Sequence, residues 1–250
     1  MDRIVYTAAG GAARVLEQQA VLSNNMANVS TTGFRAELAN YRSVPIVAEQ
    51  GLPTRVGTVT STPGSNFEQG VMAQTGNALD VAITGEGWFS VQTPTGEALT
   101  RAGELAVNPQ GQLVTQQGLP ILAANNAPIE IPDRGTVTFT SDGTITALGA
   151  GDRPNDIQVI GQLKLSNPPA ASLARGDDGL FRVQDPNAGP VREDPNVHIV
   201  SGFVEKSNVG AAETMVGMIA NARQFEAQMQ IIQTASTNAE RANSILSSNG

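Results

Sequence analysis

Residues 1–35 and 208–250 both carry apolar residues at helical spacing, while the stretch between them is punctuated by Gly and Pro and alternates in strand fashion. A narrow apolar stripe does not hold a lone helix together in water, because nucleation is unfavourable and the stripe has to be buried. Each end therefore needs a partner, either the other terminus or another copy of the chain. The layout predicts an α+β architecture with N- and C-terminal helices paired as a coiled coil, an extended arm, and an all-β central domain. The pattern changes set the boundaries: 1–35 for the first helix, 36–78 for the arm, 79–203 for the β domain and 204–250 for the last helix.

In the first helix Met1, Ala8, Val15, Leu22 and Val29 recur at seven, and Val5, Ala12, Gln19 and Met26 form a companion row, together one narrow seam. Gly33 is expected in the left-handed conformation just past the helix end. Phe34 then falls where a Schellman motif places an apolar contact, back onto Val29, and the helix stops near Thr31 to Thr32. The last helix is expected to begin after Ser207-Asn208, either of which can cap its first turn. From there Met215, Met218, Ala222, Phe225, Met229, Ile232, Ser236, Ala239, Asn243 and Leu246 step by three and four, a coiled-coil seam. The outward positions are mostly amides and hydroxyls, among them Gln18, Ser23, Asn24, Asn25, Asn221, Gln224, Gln228, Gln230, Gln233 and Asn238. A face of this kind can be covered by another subunit with less desolvation cost than a Lys/Glu face.

The arm is marked by Pro45, Gly51, Pro53, Gly57, Pro63, Gly64 and Gly70, with a short strand at Arg55 to Thr60. A structureless loop of that length is unusual in a compact domain, so the arm is expected to run along a surface supplied by other chains. Beyond it, strands are predicted at 80–84, 88–92, 99–101, 113–115, 136–140, 144–148, 157–165, 181–183 and 197–200. Turn signals fall between them at Thr95-Gly96, Asp142-Gly143 and Asp178-Gly179.

Composition excludes several function classes. A hydrophobic share of 40% supports a real core, and 15 Lys+Arg against 23 Asp+Glu, with no basic cluster, argues against nucleic acid. With no cysteine there are no disulfides or thiolate metal sites. The opening Met1-Asp2-Arg3-Ile4-Val5-Tyr6 lacks the basic region and apolar core of a secretory leader, and no run approaches a membrane span. The chain is expected to be cytosolic or to leave by a route that cleaves no leader. His198, the only histidine, sits between Val197 and Ile199 in a strand pattern and makes no triad. Gly85-Glu86-Gly87 lacks the third glycine of a dinucleotide loop, and Asp177-Asp178-Gly179 lacks the alternating ligands of a calcium loop. No catalytic, cofactor-binding or metal-ligating residue is assigned, and the chain is read as no enzyme. A secreted β-rich hydrolase with helical ends would need a converging carboxylate pair, and nothing in the spacing of Asp80, Glu86, Glu97 and Glu104 singles one out. A binding module that stays monomeric is the other alternative.

The run Ser23-Asn24-Asn25-Met26-Ala27-Asn28-Val29-Ser30-Thr31-Thr32-Gly33-Phe34-Arg35 closely resembles the N-terminal signature of the bacterial flagellar rod and hook proteins. Gly202-Phe203-Val204-Glu205-Lys206-Ser207-Asn208-Val209, followed by Met215-Val216, Met218-Ile219 and Arg223-Gln224-Phe225-Glu226, resembles their C-terminal signature. Leu79-Asp80-Val81-Ala82-Ile83, Gly87-Trp88-Phe89, Leu99-Thr100-Arg101-Ala102-Gly103 and Gly111-Gln112-Leu113-Val114-Thr115 match the middle. Within the family, Met1-Asp2-Arg3 with Tyr6, the compact arm and Arg175-Gly176-Asp177-Asp178-Gly179 are most similar to the proximal-rod branch, the distal rod being the nearest rival.

The resemblance implies a structural subunit exported unfolded by the flagellar type III apparatus and assembled with other proximal and distal rod subunits in the periplasm as part of a drive shaft. Subunits joined head to tail by a rotation that does not close form a helical tube. Terminal helices can line it, disordered in the free subunit and ordered on assembly, while the β domain lies outward. The expected subunit interface is Asn24, Asn25, Asn28 and Phe34, then Ser207, Asn208 and Val209, then Met215, Met218, Phe225, Met229, Ile232 and Leu246, with Gly33 as a structural turn.

Overall fold

The computed structural model describes residues 2–46, 55–60, 64–131, 136–148, 157–184, 189 and 191–248, with backbone only at 2–3, 42–46, 55–60 and 245–248. The chain divides into two compact units, one built from 1–29, 36–66 and 209–250 and the other from 30–35 and 67–208.

The first unit is helical. α1 (Asp2–Ala27) and α2 (Ala211–Ser248) lie side by side and antiparallel: Gly11 faces Gln228, Leu22 faces Gly217, and the Asn221 side chain donates to the Val15 carbonyl. The heptad stripe of α1 is the face that α2 covers, with Ala8, Ala12 and Val15 buried and Val5, Gln19, Leu22 and Met26 half-buried. Small residues let the helices approach; a Cβ on Gly11 would lie 3.1 Å from the Gln228 amide. Met1, the first member of the predicted stripe, is outside the described residues.

α1 stops earlier than its pattern suggests. After Ala27 the bonding tightens from Asn28 N to Asn24 O (3.1 Å) to Val29 N to Met26 O (3.4 Å), and the Asn28 side chain also donates to the Asn24 carbonyl (3.0 Å). The run Asn28-Val29-Ser30-Thr31-Thr32 consists of residues that are β-branched or compete with the backbone for its hydrogen bonds, and both traits disfavour another helical turn. Gly33 is therefore not the cap of α1, and Phe34 closes no Schellman motif.

Within this unit the arm pairs with itself. β1 (Glu37–Leu38) is antiparallel to β4 (Gly64–Ser65), and β2 (Tyr41–Ile46) to β3 (Arg55–Thr60), from Tyr41 opposite Thr60 to Ile46 opposite Arg55. The Tyr41 hydroxyl donates to the Arg14 carbonyl (3.1 Å), which ties the hairpin to α1. β2 was hidden in the sequence by Pro45, a residue that normally argues against a strand.

Among the described residues the second unit is all β apart from one turn of 3-10 helix at Ala170–Ser172. Its strands are β5 (Met72–Gln74), β6 (Val81–Thr84), β7 (Trp88–Thr93), β8 (Gly96–Thr100), β9 (Leu105–Val107), β10 (Leu113–Thr115), β11 (Thr136–Phe139), β12 (Thr144–Leu148), β13 (Gln158–Gln162), β14 (Leu165–Ser166), β15 (Leu173–Arg175), β16 (Phe181–Val183), β17 (His198–Ser201) and β18 (Phe203–Glu205). The largest sheet runs β14-β7-β8-β16-β15, a second runs β11-β12-β13, and β9–β10, β6–β17 and β5–β18 form antiparallel pairs. Alternation along β7 sends Phe89 and Val91 into the main core with Ile83, Leu113, Ile121 and Ile145, and Trp88 to the opposite face with Leu99 and Phe181. The Trp88 and Phe181 rings meet at 4.7 Å. The single strand expected over 157–165 is two, broken before Leu165 where buried Lys164 turns to Glu97 (2.7 Å).

Candidate assembly interface

The three signature asparagines at the end of α1, Asn24, Asn25 and the following Asn28, are engaged within the chain. Buried Asn25 donates from Nδ2 to the Glu37 carbonyl (2.9 Å) and accepts from the Glu37 amide at Oδ1 (2.8 Å). One side chain thus pairs with β1 as a neighbouring strand would. Asn24 donates to the Glu37 carboxylate (2.8 Å), and Asn28 closes the helix end.

The following residues, 30–35, belong to the β unit. Gly33 has φ of 69°, and a Cβ there would lie 2.3 Å from the Arg101 carbonyl carbon, so this position requires glycine for conformation and for space. Phe34 is buried under Arg175, whose guanidinium lies 4.3 Å from the ring centroid and donates to the Arg35 carbonyl (2.7 Å). The C-terminal signature threads the same place: Gly33 N donates to Glu205 O (2.7 Å), Asn208 N to Phe34 O (3.3 Å), and Asn208 Nδ2 to Glu68 O (2.9 Å). Ser207 and Val209 are half-buried. α2 begins at Ala211, with Thr214 N donating to Gly210 O (2.9 Å), so Gly210 rather than Ser207 or Asn208 stands at the position before the helix.

Beneath this crossing lies a charged cluster. Arg35 pairs with Glu205 Oε1, Arg101 with Glu205 Oε2 (3.1 Å), and all three side chains are buried. Arg101 also donates to the carbonyls of Ile83 (3.3 Å) and Gly85. Burial pulls the Arg101 guanidinium down to about 10, with Glu205 opposing the fall. Arg35, Arg101 and Glu205 were each part of a recognised signature but had no individual role in the sequence reading. No local spacing marks them, because Arg35 and Arg101 lie 66 positions apart and Arg101 and Glu205 a further 104.

α2 presents a different inner face from the one its apolar pattern suggests. Thr214, Met218, Asn221, Phe225, Gln228, Ile232, Ala235, Ala239 and Ala242 are buried or half-buried and step by four and three. Met218, Phe225, Ile232 and Ala239 belong to the predicted seam, but Met215, Ala222, Met229, Ser236 and Asn243 are turned outward; Met215 is 48% exposed and Met229 46%. Polar residues replace them inside because they find partners there: Asn221 donates to Val15 O (2.8 Å) and Gln19 Oε1 (2.9 Å). A stripe counted on apolar residues alone misses this one-position rotation. The Leu246 side chain lies outside the described residues.

The outward face of α2 is rich in apolar side chains, with Val216 67% exposed and Ile219 57%. Ile231 is exposed on the other flank, where it lines a shallow groove with Ile4, Ala227 and Ala235. Among the described residues no helix is long and apolar enough to cross a membrane.

Three protein families match the chain in order: "Flagella basal body rod protein" over residues 5–35, "Flagellar hook protein FlgE/F/G D1 domain" over 82–147, and "Flagellar basal body rod FlgEFG protein C-terminal" over 200–245. The flagellar basal-body rod protein FlgF of Escherichia coli is 45% identical over 99% of both chains, and that of Salmonella typhimurium is 44% identical over the same share. The rod protein FlgG of Agrobacterium fabrum is 32% identical over 86% of this chain and 88% of its own.

Proposed function

The chain belongs to the FlgF family of flagellar basal-body rod proteins, structural components that assemble with other rod and hook proteins, and from that premise we propose that it polymerises through its terminal helices into the proximal part of the drive shaft. The family is a structural one and not an enzyme family. In this reading the α1–α2 pair is a coiled coil, the subunit reaches the periplasmic span through the flagellar export apparatus, and its helical unit orders fully only among neighbours. The β unit faces outward and sets lateral contacts. Torque passes along interlocked helices.

The observation that carries the reading is the outward face of α2. With α1 on one side of it, α2 still leaves Met215, Val216, Ile219 and Met229 to solvent, an apolar face that further helices of the same kind can cover. The interlocking positions are then Met215 and Met229 outside the α1–α2 pair and Met218, Phe225 and Ile232 inside it. Asn24, Asn25 and Asn28 hold the shape of the helix end that neighbours meet.

The test is complementation. Expressed in a flagellated host whose own FlgF gene is deleted, the full chain is expected to enter isolated basal bodies and restore swimming. A chain that stays soluble and monomeric in those cells contradicts the proposal and favours a free-standing binding module.

A further inference from the structure

The chain passes between its two units at four places, after residues 29, 35, 66 and 208. One residue of the β unit, Glu205, bonds through its backbone or its side chain to the β-unit segments at all four crossings. Glu205 lies on the last of them. Its backbone carbonyl accepts from Gly33 N (2.7 Å) in the segment that enters at residue 30. Its Oε1 accepts from Arg35, the final residue before the second crossing, and from Gly70 N (2.8 Å) just after the third. Its Oε2 accepts from Arg101 (3.1 Å), which grips the end of β6 through the Ile83 and Gly85 carbonyls.

A buried ion cluster is a poor choice where only stability is wanted, because desolvating the charges consumes most of what their attraction returns. Apolar side chains would fill this space at less cost. What the charges add is direction: a carboxylate saturated by donors from fixed positions resists displacement along several axes, which dispersion contacts do not.

Building on the rod reading above, we propose that Glu205 is the tie by which the β unit holds every chain segment leading to the helices, so that load carried by the helices enters the β unit at the Arg35–Glu205–Arg101 cluster. The tie itself is a property of the single chain. Its role under load depends on the chain being a rod subunit, and the two parts are tested separately.

For the tie, hydrogen exchange is measured on the purified full-length chain and on Glu205→Gln. Peptides covering 30–35, 67–72 and 202–208 are expected to exchange faster by about tenfold or more, while 81–84 and 89–92 in the core exchange as before. Unchanged exchange in those segments, or equal acceleration in the core, overturns the tie. Should Glu205→Gln fail to fold, Arg35→Met keeps the length of the side chain and removes its ion pair with Glu205 Oε1; local acceleration at 30–35 is again expected, and its absence overturns the proposal. For the load, cells carrying either folded variant are expected to build basal bodies in normal number but to lose swimming speed more steeply than wild type as medium viscosity rises. A proportional loss at every viscosity, or none, overturns that half. Failure of the wild-type chain to enter basal bodies would defeat the rod reading, and with it the load half, while the exchange result still decides the tie.

Discussion

In the β unit the fully enclosed side chains are large, Phe89, Ile83, Leu113, Ile121 and Ile145 among them, whereas among the described residues the buried apolar side chains of α1 and α2 are Ala8, Ala12, Val15 and Ala235. Burying a Leu, Ile or Phe contributes about 1.5–3 kcal/mol and an alanine methyl far less. At the same time the helices expose Ile4, Tyr6, Leu16, Met215, Val216, Ile219, Met229 and Ile231. Charge divides the same way. The β unit carries 16 acidic and nine basic residues, a net charge of -7, and the helical unit seven and six, a net of -1; together they give the chain's -8. A nearly neutral helical surface can approach copies of itself, while like-charged β units repel and stay solvated. The difference teaches that the β unit is complete in one copy and the helical unit is not.

The sharpest way to break that comparison is to charge the outer face of α2. Met229→Glu is expected to abolish incorporation into basal bodies and with it swimming, yet to change the stability of the free chain by no more than about 0.5 kcal/mol, since the site is exposed. Normal swimming by this variant would mean that the face is not covered in the rod. Next in size is Phe89→Ala, which opens a cavity in the main core and is expected to cost the β unit about 3–5 kcal/mol. Trp88, the only tryptophan, reports on that unit alone, so urea unfolding followed by its fluorescence should shift while the helical circular dichroism at low urea does not. Asn25→Ala removes both hydrogen bonds to the Glu37 backbone and is expected to destabilise the helical unit by about 1–3 kcal/mol. It should leave the Trp88 transition in place.

The smallest effect concerns Asp142 in the turn between β11 and β12. Hydroxyl donors on Thr140 and Thr144 hold its carboxyl down to about 2, below its value in the unfolded chain. A depressed folded value means that the turn is favoured above the ordinary carboxylate range and loses that contribution as pH falls through about 2. A carboxyl titration followed by NMR should show Asp142 still ionised below the ordinary carboxylate range, and Thr140→Val should move its midpoint upward. A midpoint near 4 in the wild-type chain would contradict the turn geometry.

How much could be read from the residues alone differs between the same two units. Strands at Arg55 to Thr60, Leu113 to Thr115, Thr144 to Leu148 and Phe181 to Val183 stood out because β-branched and aromatic residues alternate between turn glycines, and all four occur as read. The stripe of α1 was legible because its buried positions are apolar. That of α2 was displaced by one position because Thr214, Asn221 and Gln228 enter it through hydrogen bonds or side-chain packing that no hydropathy pattern records. Gly33 was recognisable as a special position, but the reason was misread: its conformation serves a close approach to Arg101, a residue 68 positions away, and not a helix cap. The Arg35–Glu205–Arg101 cluster was invisible for the same reason, since a contact across such separations leaves no local spacing to detect.

The most direct measurement places a benzophenone side chain at Met229 in the full chain and irradiates intact basal bodies. If α2 is an assembly element, covalent products heavier than one chain should form at this position in basal bodies and not in dilute monomer, and a control at exposed Gln158 in the β unit should yield fewer of them. If Met229 gives only products within a single chain in the assembled rod, its helix is not covered by neighbours and the central claim is wrong.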